Sequence, residues 1–312
     1  MNKFEKALIN NDIEVLRKIP KTDIHNHGIL SGTKKYAQEH GIEIPNEKTT
    51  NIKTFVDYCR TYIKPIQLEE KGMRTLLEGN FDNCLKTGVK YVATQIEFKS
   101  CIRTFNSDVD RFINFLKSFQ YDNLKIYWDL SISRDTFAED YEKYEAIIFK
   151  LLKTKFFSGI DLSSIENSVP NSLFKNIYAL ANSLNMVTKV HAGEQLGADY
   201  ILECINDFNP KQIQHGIHII EDENVMKIAK EKGIVFNICP TSNIVLGNAK
   251  SIKDHPIKKM VEYGLKVTIN TDDLLMFESD INDEYLKLYN EGTLTAKQLN
   301  DIRLFGLSLF KD

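Results

Sequence analysis

Cysteine is scarce in this 312-residue sequence and never occurs in a paired spacing. The five cysteines form no C-x-x-C motif and are odd in number: Cys59, Cys84, Cys101, Cys204 and Cys239. This pattern argues against a disulfide framework and against a cysteine zinc ribbon. It is typical of a reducing compartment, and we expect a cytoplasmic protein.

An excess of one charge sign is also absent. Forty Lys and Arg residues stand against 43 Asp and Glu residues, which gives a formal net charge of -3, and the basic residues are scattered. Proteins that bind a nucleic-acid backbone concentrate Lys and Arg on one face. We therefore expect no nucleic-acid partner, although one small nucleotide is compatible with this composition.

Long apolar runs are missing as well. No window of 18 residues is both apolar and uncharged, so we expect no membrane span and no membrane partner. The first residues, MNKFEKALINNDIEVLRKI, are charged and amphipathic and lack the apolar core of a signal peptide. We expect them to form a helix over residues 3–17. Nothing in the sequence indicates an oligomeric state.

What the sequence does contain is a regular alternation of short apolar runs and longer amphipathic stretches. The short runs are rich in Val, Ile, Thr and aromatic residues, and they predict strands at 21–27, 89–98, 125–133, 157–163, 187–193, 212–219, 234–241 and 266–272. Helical patterns lie between them, for example at 107–120, 140–153, 170–184 and 221–232. Eight strands separated by helices predict an α/β fold, a (β/α)8 TIM barrel, as one domain over residues 1–312. A doubly wound open sheet is the alternative, because alternation alone does not prove closure.

Two segments depart from the repeat. Residues 28–67 form a long insertion after the first strand, with helical patterns near 33–40 and 52–62, and residues 278–309 form a helical tail. A long insertion after a barrel strand lies on the face that carries active sites. The 28–67 segment is therefore predicted to be a lid over a pocket.

Polar side chains lie at or next to the carboxyl ends of four of the predicted strands. They are His25, His27, His191, Glu194, His215, Asp272 and Asp273. The carboxyl ends of barrel strands converge on one face, so these groups are expected to lie close together.

The pair His25 and His27 predicts a metal site. Residues i and i+2 of a strand point to the same side, so both imidazoles can reach one ion. Two histidines satisfied by hydrogen bonds at the barrel mouth are the alternative. The position at a strand end, with further histidines at other strand ends, favours the metal.

The remaining groups fit the same interpretation. In His191-Ala-Gly-Glu194 the small residues permit a tight turn that places a carboxylate near an imidazole. Adjacent Asp272 and Asp273 repel each other at the end of an apolar strand, and a bound cation relieves that repulsion. Zinc accepts both kinds of ligand. Taken singly, Glu194 could be a solvated loop acid, and the aspartates an N-cap and a surface acid.

His215 follows the sequence QIQ and is a candidate to hold or deprotonate water. Considered alone, it would more often be a buried histidine with a backbone partner. His218 is expected to face the other way and to be structural. His40 and His255 are given no role.

The constellation resembles the adenosine deaminase family of metal-dependent amidohydrolases. The matching segments are PKTDIHNH (20–27), HAGE (191–194), QHGIHI (214–219), NICPTSN (237–243) and NTDD (270–273). Five motifs in this order, each at a predicted strand end, are far more specific than any one of them. The CPTSN stretch contributes family identity more than chemistry.

The resemblance implies a role for each motif residue. It implies one zinc ion, held by His25, His27, His191 and Asp272. It implies that Glu194 protonates purine N1, that His215 orients the attacking water and takes its proton, and that Asp273 contacts the resulting hydroxide and purine N7. Substrate binding is implied for Ser164, Gly193 and Asp273.

Two departures from the family pattern, and one contrast with other amidohydrolases, bear on the substrate and the metal. Ile29 stands where relatives usually have an acid that helps to hold the ribose 5'-hydroxyl, and isoleucine accepts no hydrogen bond. Ser164 stands where a glycine is usual. The fourth strand, SGIDLSS, has no lysine of the kind that bridges two metals in other amidohydrolases, which favours a single ion.

The resemblance thus implies a hydrolytic aminopurine deaminase. The expected substrate is a small molecule, adenosine or a 5'-modified or 5'-deoxy adenosine, converted to an inosine-type product and ammonia. Two alternatives remain. One is a deaminase of adenine or another aminated heterocycle, and the other is a zinc-binding barrel without turnover.

Overall fold

A single sheet of eight parallel strands curls into a nearly closed barrel in the computed structural model, which describes residues 1–47 and 49–310. The strands follow chain order: β1 (Lys21–Asn26), β2 (Val89–Glu97), β3 (Lys125–Ser133), β4 (Gly159–Ser163), β5 (Val187–His191), β6 (Gln212–Gln214), β7 (Val235–Ile238) and β8 (Lys266–Ile269). Each strand pairs in parallel with the next. The predicted (β/α)8 barrel is confirmed, and the open doubly wound sheet is excluded.

The seam between the last strand and the first closes the barrel through a few contacts. The Asp272 N–H donates to the His25 carbonyl at 3.0 Å, and the Ile24 N–H donates to Asn270 Oδ1 at 2.8 Å. A lone parallel bridge joins Asn26 to Asp272. The two ends of the sheet therefore meet at the residues that carry the candidate metal ligands.

Helices surround the barrel and connect its strands. The helices between β2 and the C-terminal tail are α7 (Lys99–Arg103), α8 (Val109–Lys117), α9 (Arg134–Phe137), α10 (Tyr141–Lys153), α11 (Lys175–Ser183), α12 (Ala198–Phe208), α13 (Glu223–Lys232), α14 (Pro240–Val245), α15 (Ile257–Tyr263) and α16 (Leu274–Phe277). Helix α13 illustrates why they form: Asp222 caps its N-terminus, and Val225 and Ala229 are buried on one face. Gly233, with φ of 69°, ends it in the left-handed conformation, as its position predicted.

The insertion after β1 contains the predicted helices and leads into the first barrel helix. It holds a 3-10 turn (Gly28–Leu30), α3 (Lys34–Glu39), α4 (Ile52–Tyr58), a π-helical turn (Cys59–Ile63) and α5 (Lys64–Gln67), and α6 (Glu70–Thr87) follows. Residue 48 of the predicted 28–67 insertion and residues 311–312 lie outside the described part of the chain.

The N-terminal prediction of one helix over 3–17 is wrong. The segment forms α1 (Lys3–Ile9) and α2 (Ile13–Leu16), because Asn11 adopts a left-handed conformation and Asp12 caps the second helix. Phe4 packs edge-on against Tyr285, with ring centroids 5.3 Å apart. The segment therefore packs on the C-terminal helices α17 (Ile281–Asn290) and α18 (Ala296–Ser308), which form the predicted tail.

Several predicted strands are too long at their carboxyl ends. β6 ends at Gln214 because His215 and Gly216 have φ of 57° and 65°, and a 3-10 helix (Ile217–Glu221) follows at once. β7 ends before Pro240, the first residue of α14, which has no N–H for the ladder. The candidate site residues therefore stand on the turns that follow the strands more often than in the strands themselves. No described helix is long and apolar enough to cross a bilayer.

Candidate metal centre and active-site pocket

Three imidazoles and one carboxylate converge at the carboxyl end of the barrel. His25 Nε2 lies 3.2 Å from His27 Nε2 and 3.1 Å from His191 Nε2. Asp272 Oδ1 lies 3.4 Å from His25 Nε2 and 3.1 Å from His27 Nε2. The structure thus brings together all four of the residues that the resemblance implies as metal ligands.

The spacing of these donor atoms fits ligands of one metal ion. Zinc would be bound by imidazole nitrogen and carboxylate oxygen at about 2.0–2.2 Å, so neighbouring ligand atoms would stand roughly 3 Å apart. The observed separations of 3.1–3.4 Å match that figure. Buried, like nitrogens at such distances repel unless a proton or a cation lies between them, so the donor set suits a cation chemically.

The rings are held by partners on their far sides. His191 Nδ1 lies 3.2 Å from Asp161 Oδ1, and His25 Nδ1 lies 3.2 Å from the Asn237 carbonyl oxygen. A proton on Nδ1 leaves Nε2 as the free lone pair, which is the form that binds a metal. Asp161 in turn accepts from Gln214 Nε2 at 2.7 Å.

The charges in the cluster are strongly coupled. Burial would raise the pKa of Asp272, but the surrounding histidines, His25 first, outweigh it and hold that pKa well below its usual range. Burial would lower the pKa of His27, but Asp273 and Asp272 outweigh it and raise that pKa to about 10. Burial lowers the pKa of His25 well below its usual value; Asp272 opposes this shift, and the neighbouring histidines add to it. The electrostatics of the cluster therefore favour a positive charge among these side chains.

Unusual backbone conformations aim these side chains. His215, Asp272 and Ser164 have φ of 57°, 62° and 76°, in the left-handed region that side chains other than glycine seldom adopt. Each follows a different strand at the same end of the barrel. Strain of this kind persists only where the surrounding structure imposes it, and it is concentrated at functional sites.

Glu194 lies beside the cluster on a loop that a second acid holds in place. Glu166 accepts the backbone N–H groups of Glu194 at 2.9 Å and of Leu196 at 2.8 Å. Burial, followed by the charges of Asp272 and Glu166, raises the pKa of Glu194 to about 7. Glu194 is thus a buried carboxyl group that exchanges a proton near neutral pH.

His215 and Asp273 complete the polar floor of the site. His215 Nε2 lies 3.7 Å from both Glu194 Oε2 and Asp272 Oδ2. Asp273 Oδ1 is buried and has no hydrogen-bond partner among the described residues. Burial raises the pKa of Asp273 well above its usual range, although His27 opposes the shift.

A cavity of about 370 Å³ opens over this cluster, a size in the range of small-molecule sites. Ile29, Ser164 and Asp273 line it, and the 28–67 segment contributes the apolar wall formed by Ile52, Phe55, Val56 and Ile63. Gly193 lies in the turn after β5, where its carbonyl accepts the His218 N–H at 3.0 Å. A side chain on Gly193 would collide with Ile201, so this position needs glycine for packing, and its contact with substrate stays a prediction.

The sequence interpretation did not identify the residues that support the site. Asp161 and Glu166 are buried acids, and Arg134 donates to the carbonyls of Ser163 and His191 at 3.3 and 2.6 Å. Asn248 Nδ2 donates to Glu194 Oε1 at 3.1 Å. Asp161 was the one supporting residue that the sequence could have indicated, because an acid inside the apolar run of strand 4 needs a partner when it is buried.

Comparison with known proteins agrees with this geometry. The family model described as adenosine deaminase matches residues 20–308. An adenosine deaminase of Plasmodium gallinaceum is 28% identical over 320 residues, covering 94% of this chain and 87% of its own length.

Two solved structures share the fold. Adenine deaminase from Arthrobacter aurescens superposes with a TM-score of 0.77 at 20% identity, covering 94% of each chain. A zinc-bound amidohydrolase from Burkholderia ambifaria gives 0.77 at 18% identity, covering 99% of this chain and 88% of the other. The chain belongs to the adenosine deaminase family and is a hydrolytic deaminase.

Proposed function

We propose that this protein deaminates a 6-aminopurine nucleoside, adenosine or a 5'-modified or 5'-deoxy adenosine, and releases ammonia. One observation carries the proposal: three imidazoles and Asp272 meet at ligand spacing, directly beside a buried acid with a pKa of about 7. A barrel that only stored zinc would need no such acid. The 28–67 segment is proposed to act as a lid, since its apolar side chains line the cavity.

One zinc ion fits the donor set, with His25, His27, His191 and Asp272 as its ligands. When bound there, zinc would make water an effective nucleophile near neutral pH. The zinc-bound relative from Burkholderia ambifaria has the same fold, and the absence of a lysine from β4 supports a single ion.

The chain's own residues are proposed to bind the purine and to donate protons to its ring nitrogens. Glu194, protonated when the substrate binds, would donate its proton to ring N1 and so let C6 become tetrahedral without charge accumulating on the ring. Burial raises the pKa of Asp273 well above its usual range, and in its protonated form it would donate to N7. His215 contacts the attacking oxygen, and Ser164, on the cavity wall, contacts the purine through its backbone.

Two carboxylate oxygens in the lining of the cavity favour a nucleoside over a free base. Glu97 Oε1 and Asp135 Oδ1 are buried and lack hydrogen-bond partners among the described residues, and both residues line the cavity. Such oxygens are costly to leave unsatisfied. Sugar hydroxyls would supply the missing donors, and adenine carries no sugar.

The wall at Ile29 favours a substrate that does not depend on a 5'-hydroxyl contact. Ile29 lines the cavity and cannot accept a hydrogen bond. Adenine remains the second candidate, because a relative of the same fold is an adenine deaminase.

The test is a substrate panel with a metal count. The zinc-loaded protein is incubated with adenosine, 5'-deoxyadenosine, adenine and adenosine 5'-monophosphate, and ammonia is measured. The nucleosides are expected to react with the highest kcat/KM. A higher kcat/KM for adenine than for the nucleosides would support the second candidate, an adenine deaminase. If a protein with one zinc bound released no ammonia from any of the four compounds, the proposal would be refuted.

A further inference from the structure

A chain of buried hydrogen bonds runs from a helix terminus to the side of His215 that faces away from the metal centre. The Ile257 N–H donates to His255 Nδ1 at 3.1 Å, and His255 Nε2 lies 3.2 Å from Asn243 Oδ1. Asn243 Nδ2 then lies 3.0 Å from His215 Nδ1. None of these three side chains is more than 2% exposed, so water does not compete for the contacts.

The first hydrogen bond determines which atom donates and which accepts in each of the others. A backbone N–H can only donate, so His255 Nδ1 must be the accepting nitrogen of that ring. Burial, and to a smaller extent His215, lowers the pKa of His255 to about 3, so the ring is neutral and its one proton sits on Nε2. That proton is donated to Asn243 Oδ1.

The amide of Asn243 in turn determines the donor and acceptor of its hydrogen bond with His215. With its oxygen accepting from His255, the NH₂ group faces His215 and donates to Nδ1. A neutral imidazole that accepts at Nδ1 carries its proton on Nε2. His215 Nε2 is the atom that faces Glu194 and Asp272 at the floor of the cavity.

We infer that Asn243 and His255 are positioning residues that fix His215 with its proton on Nε2, so that His215 presents an N–H donor to the reaction centre. Of the two roles assigned to His215 by resemblance, this favours holding and orienting the attacking oxygen. It disfavours taking the proton of the water, because the nitrogen that faces the water has no free lone pair. The inference rests on the proposed function for its catalytic meaning and on the hydrogen bonds alone for the tautomer.

Asn243 and His255 thereby gain a role that the sequence did not indicate. Asn243 ends the CPTSN stretch on α14, and His255 stands two residues before α15. Both lie on connections that follow β7, whereas His215 follows β6. The geometry of two neighbouring loops therefore sets the hydrogen-bonding character of one catalytic side chain.

The tautomer is measured directly by NMR of the zinc-loaded protein labelled with ¹⁵N-histidine, with the His215 signals assigned by their loss in His215→Gln. The expected spectrum shows an unprotonated Nδ1 and a protonated Nε2 for His215. A protonated Nδ1 in the wild-type protein would overturn the inference. Because this readout needs no turnover, an expected spectrum from a protein that releases no ammonia would refute the proposed function and leave the tautomer assignment standing.

Three variants test the chain of bonds. Asn243→Asp offers only accepting oxygens, so the His215 proton should move to Nδ1, with kcat reduced on the order of 10-fold to 100-fold. His255→Leu breaks the chain and should give a smaller loss of kcat at unchanged zinc content, whereas His255→Gln can accept from Ile257 and donate to Asn243 and should restore the wild-type spectrum. His218→Gln is the matched control, since His218 pairs with Glu221 at the surface. An unchanged His215 tautomer in both Asn243→Asp and His255→Leu would contradict the inference.

Discussion

His191 lies between Asp161 and His25, with its Nδ1 3.2 Å from the Asp161 carboxylate and its Nε2 3.1 Å from His25 Nε2. Burial would raise the pKa of Asp161, but His191 outweighs it and the pKa falls below its usual value. The carboxylate therefore stays ionised and orients the imidazole toward the cluster.

Removing this carboxylate should weaken metal binding. Asp161→Ala is expected to reduce zinc affinity on the order of 10-fold to 100-fold, because the His191 ring loses the partner that fixes its orientation. Zinc retained during titration with a chelator measures the effect. Asp161→Asn keeps an accepting oxygen, so its zinc affinity should lie between those of Asp161→Ala and the wild type. Asp122→Ala, at an exposed position, is the control and should bind zinc as the wild type does. Equal affinity in Asp161→Ala and the wild type would show that Asp161 does not support the ligand.

Replacing Glu194 separates metal binding from turnover. Glu194→Gln keeps the shape and the hydrogen bond from Asn248 but has no proton to give. We expect a full complement of zinc and a fall in kcat of about 100-fold or more, the usual scale of acid–base catalysis. Glu221→Gln, an acid on the surface, is the control. Wild-type turnover in Glu194→Gln would remove this residue from the mechanism.

The pH dependence follows from the same group. Glu194 is the acid and its pKa is raised to about 7, so it is protonated below that pH and loses its proton above it. Activity should therefore decline as pH rises through about 7, and a bound dication, which lowers a nearby carboxyl pKa, would move the decline to lower pH. A pH profile of kcat/KM for adenosine measures this. In Glu194→Gln the alkaline decline should disappear from the residual activity; a decline that survives there would belong to another group.

Restoring an acid at position 29 should change the preference between nucleosides. Ile29→Asp is expected to raise the ratio of kcat/KM for adenosine over 5'-deoxyadenosine about 10-fold or more, the scale of one hydrogen bond to a charged group. Ile29→Val serves as the control, since it keeps the wall apolar. The ratio is obtained from ammonia release with the two substrates in parallel. An unchanged ratio would mean that the 5'-position does not contact this wall.

The barrel and the convergence of three histidines with Asp272 could be predicted from the sequence because both depend on local patterns. Each strand is a short apolar run, and each ligand stands at the end of one, so the fold class alone brings His25, His191 and Asp272 to one face. The strand ends were misjudged where a single residue leaves the extended conformation. His215 is such a residue, and no apolar pattern marks a left-handed turn at a histidine.

The supporting residues could not be predicted for a different reason. The partners of His191 and His215 lie 30 and 28 positions away in the chain, on strand β4 and helix α14. Such pairings are set by how neighbouring strands align in register. Asn243 and His255 therefore acquire a role only when the loops after β6 and β7 are placed side by side.

The seam at Asp272 has a consequence for how the molecule is made. The first strand emerges from the ribosome well before the last, and its outer edge stays without a partner until the segment around residue 270 has been synthesised, because Ile24 and Asn270 are 246 positions apart. An open edge invites pairing with other chains. A nascent chain of this protein is thus exposed to misassembly at this edge until the segment around residue 270 has been synthesised, and the same few contacts that end that exposure also bring together the candidate ligands.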